Sequence, residues 1–322
     1  VVLIRTDKFG NEVWPAKTYG GCYTDAGYSV CLSTDGGFTI AGFYSDSTSQ
    51  GYTTDLYLVH TNADGDSLWT KRFGGIANEA GYCIRKTSND GYIIAGYKDS
   101  TGRGKDIWLV KTDANGNLEW EKSSGFEFDE SANQVFEAAG GYIICGTSKS
   151  YSKYQGIETG IIMKAGPTGN TFNPIYIGSG EPVTDGTITM LSDGSIFFAG
   201  TQTNSSNFSR IVIAKFDAGL NPLTLANMSL NLPKSSRVKD IKLVNDGIVY
   251  TGSNLESSDI LLVKSDFEGN VIFSNSFGQT GSQQGESIVQ SGDGGFAIAG
   301  FNRYETSNVQ ITLLKTKSDG NQ

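Results

Sequence analysis

Gly91-Tyr92-Ile93-Ile94-Ala95-Gly96, then a polar stretch, then Asp106-Ile107-Trp108-Leu109-Val110-Lys111-Thr112: these two runs decide the fold. Both are apolar almost throughout, with no polar alternation, which marks strands buried on two faces. β-Branched and aromatic residues fill them and glycines bound them, so helix is disfavoured. Before them Asn89-Asp90 supplies the positive φ of a tight hairpin turn, and upstream lies a further strand, Tyr82-Cys83-Ile84-Arg85-Lys86. After them Asp113-Ala114-Asn115-Gly116-Asn117 makes another turn, leading to Leu118-Glu119-Trp120-Glu121-Lys122. The stretch reads as four antiparallel strands, A to D, joined in sequence.

The same unit recurs along the chain. The B-strand signature returns as Gly37-Phe38-Thr39-Ile40-Ala41-Gly42, Gly141-Tyr142-Ile143-Ile144-Cys145-Gly146 and Gly194-Ser195-Ile196-Phe197-Phe198-Ala199-Gly200. It returns again as Gly247-Ile248-Val249-Tyr250-Thr251-Gly252 and Gly295-Phe296-Ala297-Ile298-Ala299-Gly300. The spacing is roughly fifty residues. A four-stranded meander that is apolar on both faces must be stacked between copies of itself, and closing the stack in a ring leaves only short strand edges. The expected fold is an all-β propeller of four-stranded antiparallel blades, six in number, with seven as the alternative, forming a single domain over residues 1–322. Strand C has one extra copy, Val2-Leu3-Ile4-Arg5, at the N-terminus. Six blades close if residues 12–17 supply strand D of the last blade. The ends at Val1 and Gln322 suggest a piece of a longer polypeptide.

The pattern DGGYIIAG…DIWLVKTDxxGNxxW resembles the propeller repeats of secreted and surface-anchored bacterial and archaeal proteins. The resemblance runs through essentially the whole chain and is weakest over residues 165–245. It implies the propeller fold and an extracellular or cell-surface setting, the periplasm included, and implies little about activity.

Composition narrows the partners. The net charge of −9 sets nucleic acid aside, since phosphate binding needs clustered Lys and Arg. No apolar run is long enough to insert in a membrane. The only histidine, His60, stands where other repeats carry Lys, which removes His-based triads and multi-His metal sites. Cys22, Cys31, Cys83 and Cys145 show no metal spacing; the last three fall in strands, where buried free thiols are expected.

Features present in every unit are read as structural. The Asp-x-x-Gly-Asn turn ties its own backbone, the Lys ending strand C pairs with a neighbouring acid, and Trp14, Trp69, Trp108 and Trp120 pack blade on blade. Features that vary are the candidates for function. The B–C connections carry Tyr44, Tyr52, Tyr97, Tyr151, Tyr154, Phe208 and Tyr304, aromatic groups suited to stacking on a sugar ring or anchoring a protein. Asp25, Glu79 and Asp129 occupy matching positions before strand A, where the other units have Val183, Ser236 and Gln283. They are candidates for holding a structural cation such as calcium; otherwise no cofactor is expected. The competing reading is that each carboxylate accepts local backbone N–H groups.

No carboxyl pair stands out from the repeat, so the expected role is a non-enzymatic extracellular binding or adhesion module. It would take protein or glycan on the loop face, and its oligomeric state stays open. One alternative is a building block of a cell-surface or filamentous assembly. Another is a carboxylate-based carbohydrate-active enzyme.

Overall fold

A computed structural model describes residues 1–48, 51–100, 102, 104–151, 156–178, 181–223, 228–230, 232, 235–305 and 308–322. The chain is an all-β, six-bladed propeller, and the described residues form strands and turns without a helix. Each blade is an antiparallel meander whose strands follow one another in sequence. The first blade is β3 (Ala26–Leu32), β4 (Phe38–Thr48), β5 (Gly51–Thr61) and β6 (Ser67–Phe73); the second is β7 (Glu79–Lys86), β8 (Tyr92–Ser100), β9 (Gly104–Thr112) and β10 (Leu118–Ser124). The third comprises β11 (Glu130–Ala138), β12 (Gly141–Ser148), β13 (Thr159–Ala165) and β14 (Ile175–Tyr176); the fourth, β15 (Val183–Met190), β16 (Ile196–Thr203), β17 (Ser209–Phe216) and β18 (Met228–Ser229). The fifth has β19 (Ser236–Val244), β20 (Gly247–Asn254), β21 (Asp259–Ser265) and β22 (Val271–Phe277), and the sixth β23 (Ser282–Gln290), β24 (Phe296–Glu305) and β25 (Asn308–Thr316).

Cα proximity divides the chain into two compact units: Val1–Ile157 with Ile162–Ile175, and Glu158–Ile161 with Tyr176–Gln322. One core cluster of the first unit gathers Leu56, Leu58, Tyr92, Ile94, Trp108 and Val110 of strands B and C with Ile84 of strand A. The second has one cluster around Phe197, Ile213, Tyr250 and Val263 and another around Ile260, Leu262, Ile288 and Ile298.

The signature glycines have a steric cause. In each blade strand A carries a bulge, as between Gly81 and Cys83, opposite the closing glycine of strand B. A Cβ on Gly96 would stand 1.8 Å from the Ala80 carbonyl oxygen, and one on Gly91 would stand 2.2 Å from that of Thr112. The C–D turn needs glycine twice over. Gly65, Gly116, Gly169 and Gly320 have φ between 72° and 81°, and each lies under an aromatic ring: Trp14 of the N-terminal segment for Gly65, and Trp69, Trp120 and Phe273 of D strands for the others. These contacts are the blade-on-blade packing expected of the D-strand aromatics.

The turn acid acts as read. Asp113 Oδ1 accepts the Asn115 and Asn117 amides at 2.9 and 2.8 Å, and Asn117 Nδ2 donates to Oδ2 at 2.9 Å. The repeat cation pairs locally, as Lys111 with Glu119, Lys264 with Asp246 and Lys315 with Asp293. His60 stacks on Trp69 at 4.8 Å, with Nε2 3.0 Å from Asp35. All four cysteines are free thiols, Cys83 and Cys145 buried; burial pushes Cys31 up to about 12.

Two expectations differ. Residues 12–17 do not complete the sixth blade, which has three strands among the described residues. Instead β1 (Val2–Leu3) pairs with β2 (Lys17–Thr18) in a ribbon of its own. Asp7 closes the connecting turn by accepting the Phe9 and Asn11 amides, and such a local hairpin costs far less chain entropy than pairing with a distant strand. The ribbon then docks on the first blade: Tyr19 donates to the Gly65 carbonyl at 2.5 Å, Arg5 to that of Ala63 at 2.9 Å, and Lys17 pairs with Asp66 at 2.8 Å. The first B–C connection is also no open loop. β4 and β5 extend pairing from Phe43↔Leu56 out to Thr48↔Gly51, because Ser45, Asp46, Thr53 and Thr54 tolerate an exposed ladder.

Candidate functional site

The extended hairpins place the sequence-predicted aromatics in strands more often than on loops. Tyr44 is half-buried against Tyr57 at 5.4 Å, with the Arg72 guanidinium 4.6 Å above its ring. Tyr52 is exposed and meets Tyr23 at 5.1 Å. Tyr97 is buried beside Tyr82, with Lys105 Nζ 3.9 Å above its ring. Tyr151 is half-buried, Phe208 and Tyr304 are exposed, and Tyr154 lies outside the described residues.

The acids before strand A separate into different roles. Asp25 is a backbone clasp, accepting the Gly21 amide at 2.6 Å and that of Ser45 at 2.9 Å. Asp129 lies one residue outside the matching position. The ladder pairs Glu130 with Ser148 just as it pairs Glu79 with Lys98, so Glu130 is the true counterpart. The bulges, at Gly81/Cys83 and Ala132/Gln134, fall at the same place in both blades; the offset comes from the A–B turn, which joins Glu137 to Tyr142 with one residue fewer than Lys86 to Tyr92. Asp129 instead pairs with Lys149 at 2.9 Å, which holds its carboxyl below the usual range. Glu130 is buried and fully engaged by the Phe126 amide at 2.8 Å and the Ser148 and Ser150 hydroxyls at 2.9 and 2.6 Å. Among the described residues, no three His, Cys, Asp or Glu side chains converge to hold a metal ion.

Glu79 stands apart. Its side chain is buried at 1% exposure, and neither carboxylate oxygen has a hydrogen-bond partner. Beside it is Asp55, whose Oδ1 is likewise buried and unpartnered. Both oxygens crowd the Gly74 corner: a Cβ there would lie 2.4 Å from Asp55 Oδ1 and 2.8 Å from Glu79 Oε2. The two oxygens are therefore no more than about 5 Å apart. Around them, Asn78 accepts the Thr54 amide at 3.2 Å and donates to Asp99 at 3.0 Å. Lys98 faces Glu79 across the ladder and lies 5.0 Å from the Trp108 ring.

Burial pushes the Glu79 pKa up; Lys98 and the nearby Gly75 amide offset this in part, and the charges of Asp55 and Asp99 add to it. Burial also raises Asp55, with Arg72 pulling down and Asp46 pushing up. Burial raises both, and two carboxylates this close resist ionising together, which favours one proton held between them. That is the division of labour that glycoside cleavage requires. Sequence reasoning missed Asp55. Its signal was an Asp opening strand C in three repeats, as Asp55, Asp106 and Asp259.

No family model matches the chain. Its likeness to curated proteins is local: it is 28% identical over 130 residues to the regulatory protein FlaEY of Caulobacter vibrioides, a match taking in 36% of this chain and 13% of that protein. Solved structures match much more of it. The α-L-arabinanase of Penicillium chrysogenum, solved with arabinobiose, superposes with a TM-score of 0.59 at 10% identity, covering 89% of this chain and 92% of that one. The sialidase of Trypanosoma rangeli, solved with sialic acid, gives 0.54 at 11% identity, covering 97% of this chain and 56% of that one. At such identities the likeness shows the propeller fold.

The expectation of a non-enzymatic binding or adhesion module, without catalytic activity, is corrected here. The propellers this chain resembles over most of its length include those of an arabinanase and a sialidase. Catalysis had been set aside because no carboxyl pair stood out from the repeat; Asp55 and Glu79 occupy repeat positions too, and differ in that their buried oxygens lack partners where those of Glu130 are met.

Proposed function

We propose that this propeller is a carbohydrate-active enzyme that cleaves glycosidic bonds with Asp55 and Glu79, in the extracytoplasmic setting its repeats suggest. The observation that carries the reading is the unpartnered, desolvated pair of carboxylates no more than about 5 Å apart. Likeness to the arabinanase and sialidase propellers supports it.

Glu79, the more deeply buried of the two, holds the proton and gives it to the leaving oxygen as the glycosidic C–O bond breaks. Asp55 lies nearer the Arg72 charge, stays ionised, and forms a bond to the anomeric carbon. Water, losing its proton to Glu79, then displaces Asp55 and frees the sugar. The pair is roofed by the Gly74–Gly75 corner, so substrate enters as that corner lifts. A Cβ at Gly75 would meet nothing within 4 Å, and the adjoining Ile76 is 98% exposed, so the corner has room to move.

Incubation with a panel of polysaccharides and aryl glycosides, assayed for released reducing sugar or aryl alcohol, tests this. Release is expected from at least one member, falling about a thousandfold or more in Asp55→Asn. No release from any member, or an Asp55→Asn enzyme as active as wild type, would overturn it.

A further inference from the structure

The second unit contains a cleft of about 390 Å³ lined by Gln279, Gln283, Asn302, Tyr304 and Gln310 above an apolar floor that includes Ile260. Among the described residues, no Asp, Glu, Lys or Arg side chain lines it, although the Asp259 carboxylate lies behind Gly278 in its wall. This neutrality departs from the repeat. The position that carries Glu79 and Glu130 in earlier blades is Gln283 here. The position that opens strand C as Asp55, Asp106 and Asp259 is Gln310, and the place of Lys98 and Ser148 is taken by Asn302. Three ladder positions that elsewhere hold charges or a hydroxyl have all become amides around one cavity.

Gln283 is built into the wall. It is 4% exposed, and its Nε2 donates to Asn302 Oδ1 at 2.8 Å and to the Thr280 and Gln279 carbonyls at 3.2 and 3.3 Å. Those bonds fix the orientation of the amide. Its Oε1 is buried with no partner at the Gly278 corner of the cleft, where a hydroxyl donor brought by a ligand would satisfy it. Tyr304, 41% exposed, supplies an aromatic face at the rim.

We infer that this cleft binds an uncharged sugar residue. Fixed amides offer both donors and acceptors to ring hydroxyls, a tyrosine face takes the apolar side of the pyranose or furanose, and a lining without Lys or Arg beside the Asp259 carboxylate disfavours acidic sugars. A cavity of this size holds one or two sugar units. The inference deepens the carbohydrate reading, but it does not depend on Asp55 or Glu79.

The test is titration calorimetry of the full chain with neutral arabino-, galacto- and gluco-oligosaccharides. Three variants accompany it: Tyr304→Ala, which removes an exposed ring; Gln283→Glu, which keeps the shape but adds charge; and Asp55→Asn. With the Asp55→Asn chain, which does not turn the sugar over, saturable binding of at least one series is expected, weakened about tenfold or more by adding each cleft variant. No saturable binding, binding indifferent to both cleft changes, or capture of an extended peptide along the free edge of β25 in place of sugar would each overturn the inference. Loss of hydrolysis in Asp55→Asn with binding kept separates this site from the catalytic reading.

Discussion

Glu79→Gln is expected to cut glycan hydrolysis at least about a hundredfold while making the folded protein more stable at neutral pH. The first half follows from the loss of the proton that must reach the leaving oxygen. The second follows from burial. Glu79 sits out of water with two unpartnered oxygens, and its folded-state pKa is raised by that desolvation. Such a group favours folding while it is protonated, below its unfolded pKa, and that contribution is lost as pH rises through the raised folded value. An uncharged amide removes the penalty, and the fifth-to-sixth blade corner already accommodates glutamine at this position as Gln283. The variant should therefore exceed wild type by about 1–3 kcal/mol at pH 8, and the difference should shrink toward pH 4. Thermal melts across that range, paired with hydrolysis assays, check both halves. An active variant refutes the assigned role, and one destabilised equally at both pH values refutes the account of the burial.

Gly96→Ala, like Gly42→Ala at the matching position of the first blade, should be among the most damaging small substitutions in the first unit. The new Cβ would stand 1.8 Å from the Ala80 carbonyl oxygen and 3.0 Å from the Gly81 Cα, and both neighbours are backbone. Relief requires the β7–β8 ladder to shift at its bulge, where Gly81 and Cys83 pair with Gly96 and Ala95. A loss of about 3 kcal/mol or more is expected, read as a fall in the denaturation midpoint. Gly292→Ala is the control. A Cβ there meets nothing within 4 Å, so the change should be neutral or slightly stabilising through the unfolded chain. Equal midpoints for the two variants would mean that the glycine signature has a cause other than this close approach.

The fold was legible because its determinants are local and repeated. Apolar runs such as 92–97 and 107–110 announce strands buried on both faces, and the turn acids and glycines state where each hairpin bends. The reading failed where a choice is made between equivalent partners. Residues 12–17 carry a D-type sequence that could suit either the last blade or their own hairpin, and the Asp7 turn selects the hairpin. The A–B turn is one residue shorter in the third blade, pairing Glu137 with Tyr142 where the second pairs Lys86 with Tyr92, which is why Asp129 was matched where Glu130 belongs. The candidate site was harder still. Glu79 was visible as a repeat position, yet the sequence cannot say that its oxygens lack partners while those of Glu130 are met by Ser148 and Ser150. Asp55 comes beside Glu79 because strand C of one blade packs on strand A of the next at the Gly74 corner, so its signal is two repeat positions some 24 residues apart that only the packed blades bring together.

Stereochemistry decides the matter most directly. When proton NMR follows the first product formed from a glycoside of known anomeric configuration, carboxylates as close as Asp55 and Glu79 predict that the configuration at the anomeric carbon is retained. A product that appears first with inverted configuration would contradict the account, because inversion needs room between the two groups for a water molecule that this spacing does not leave.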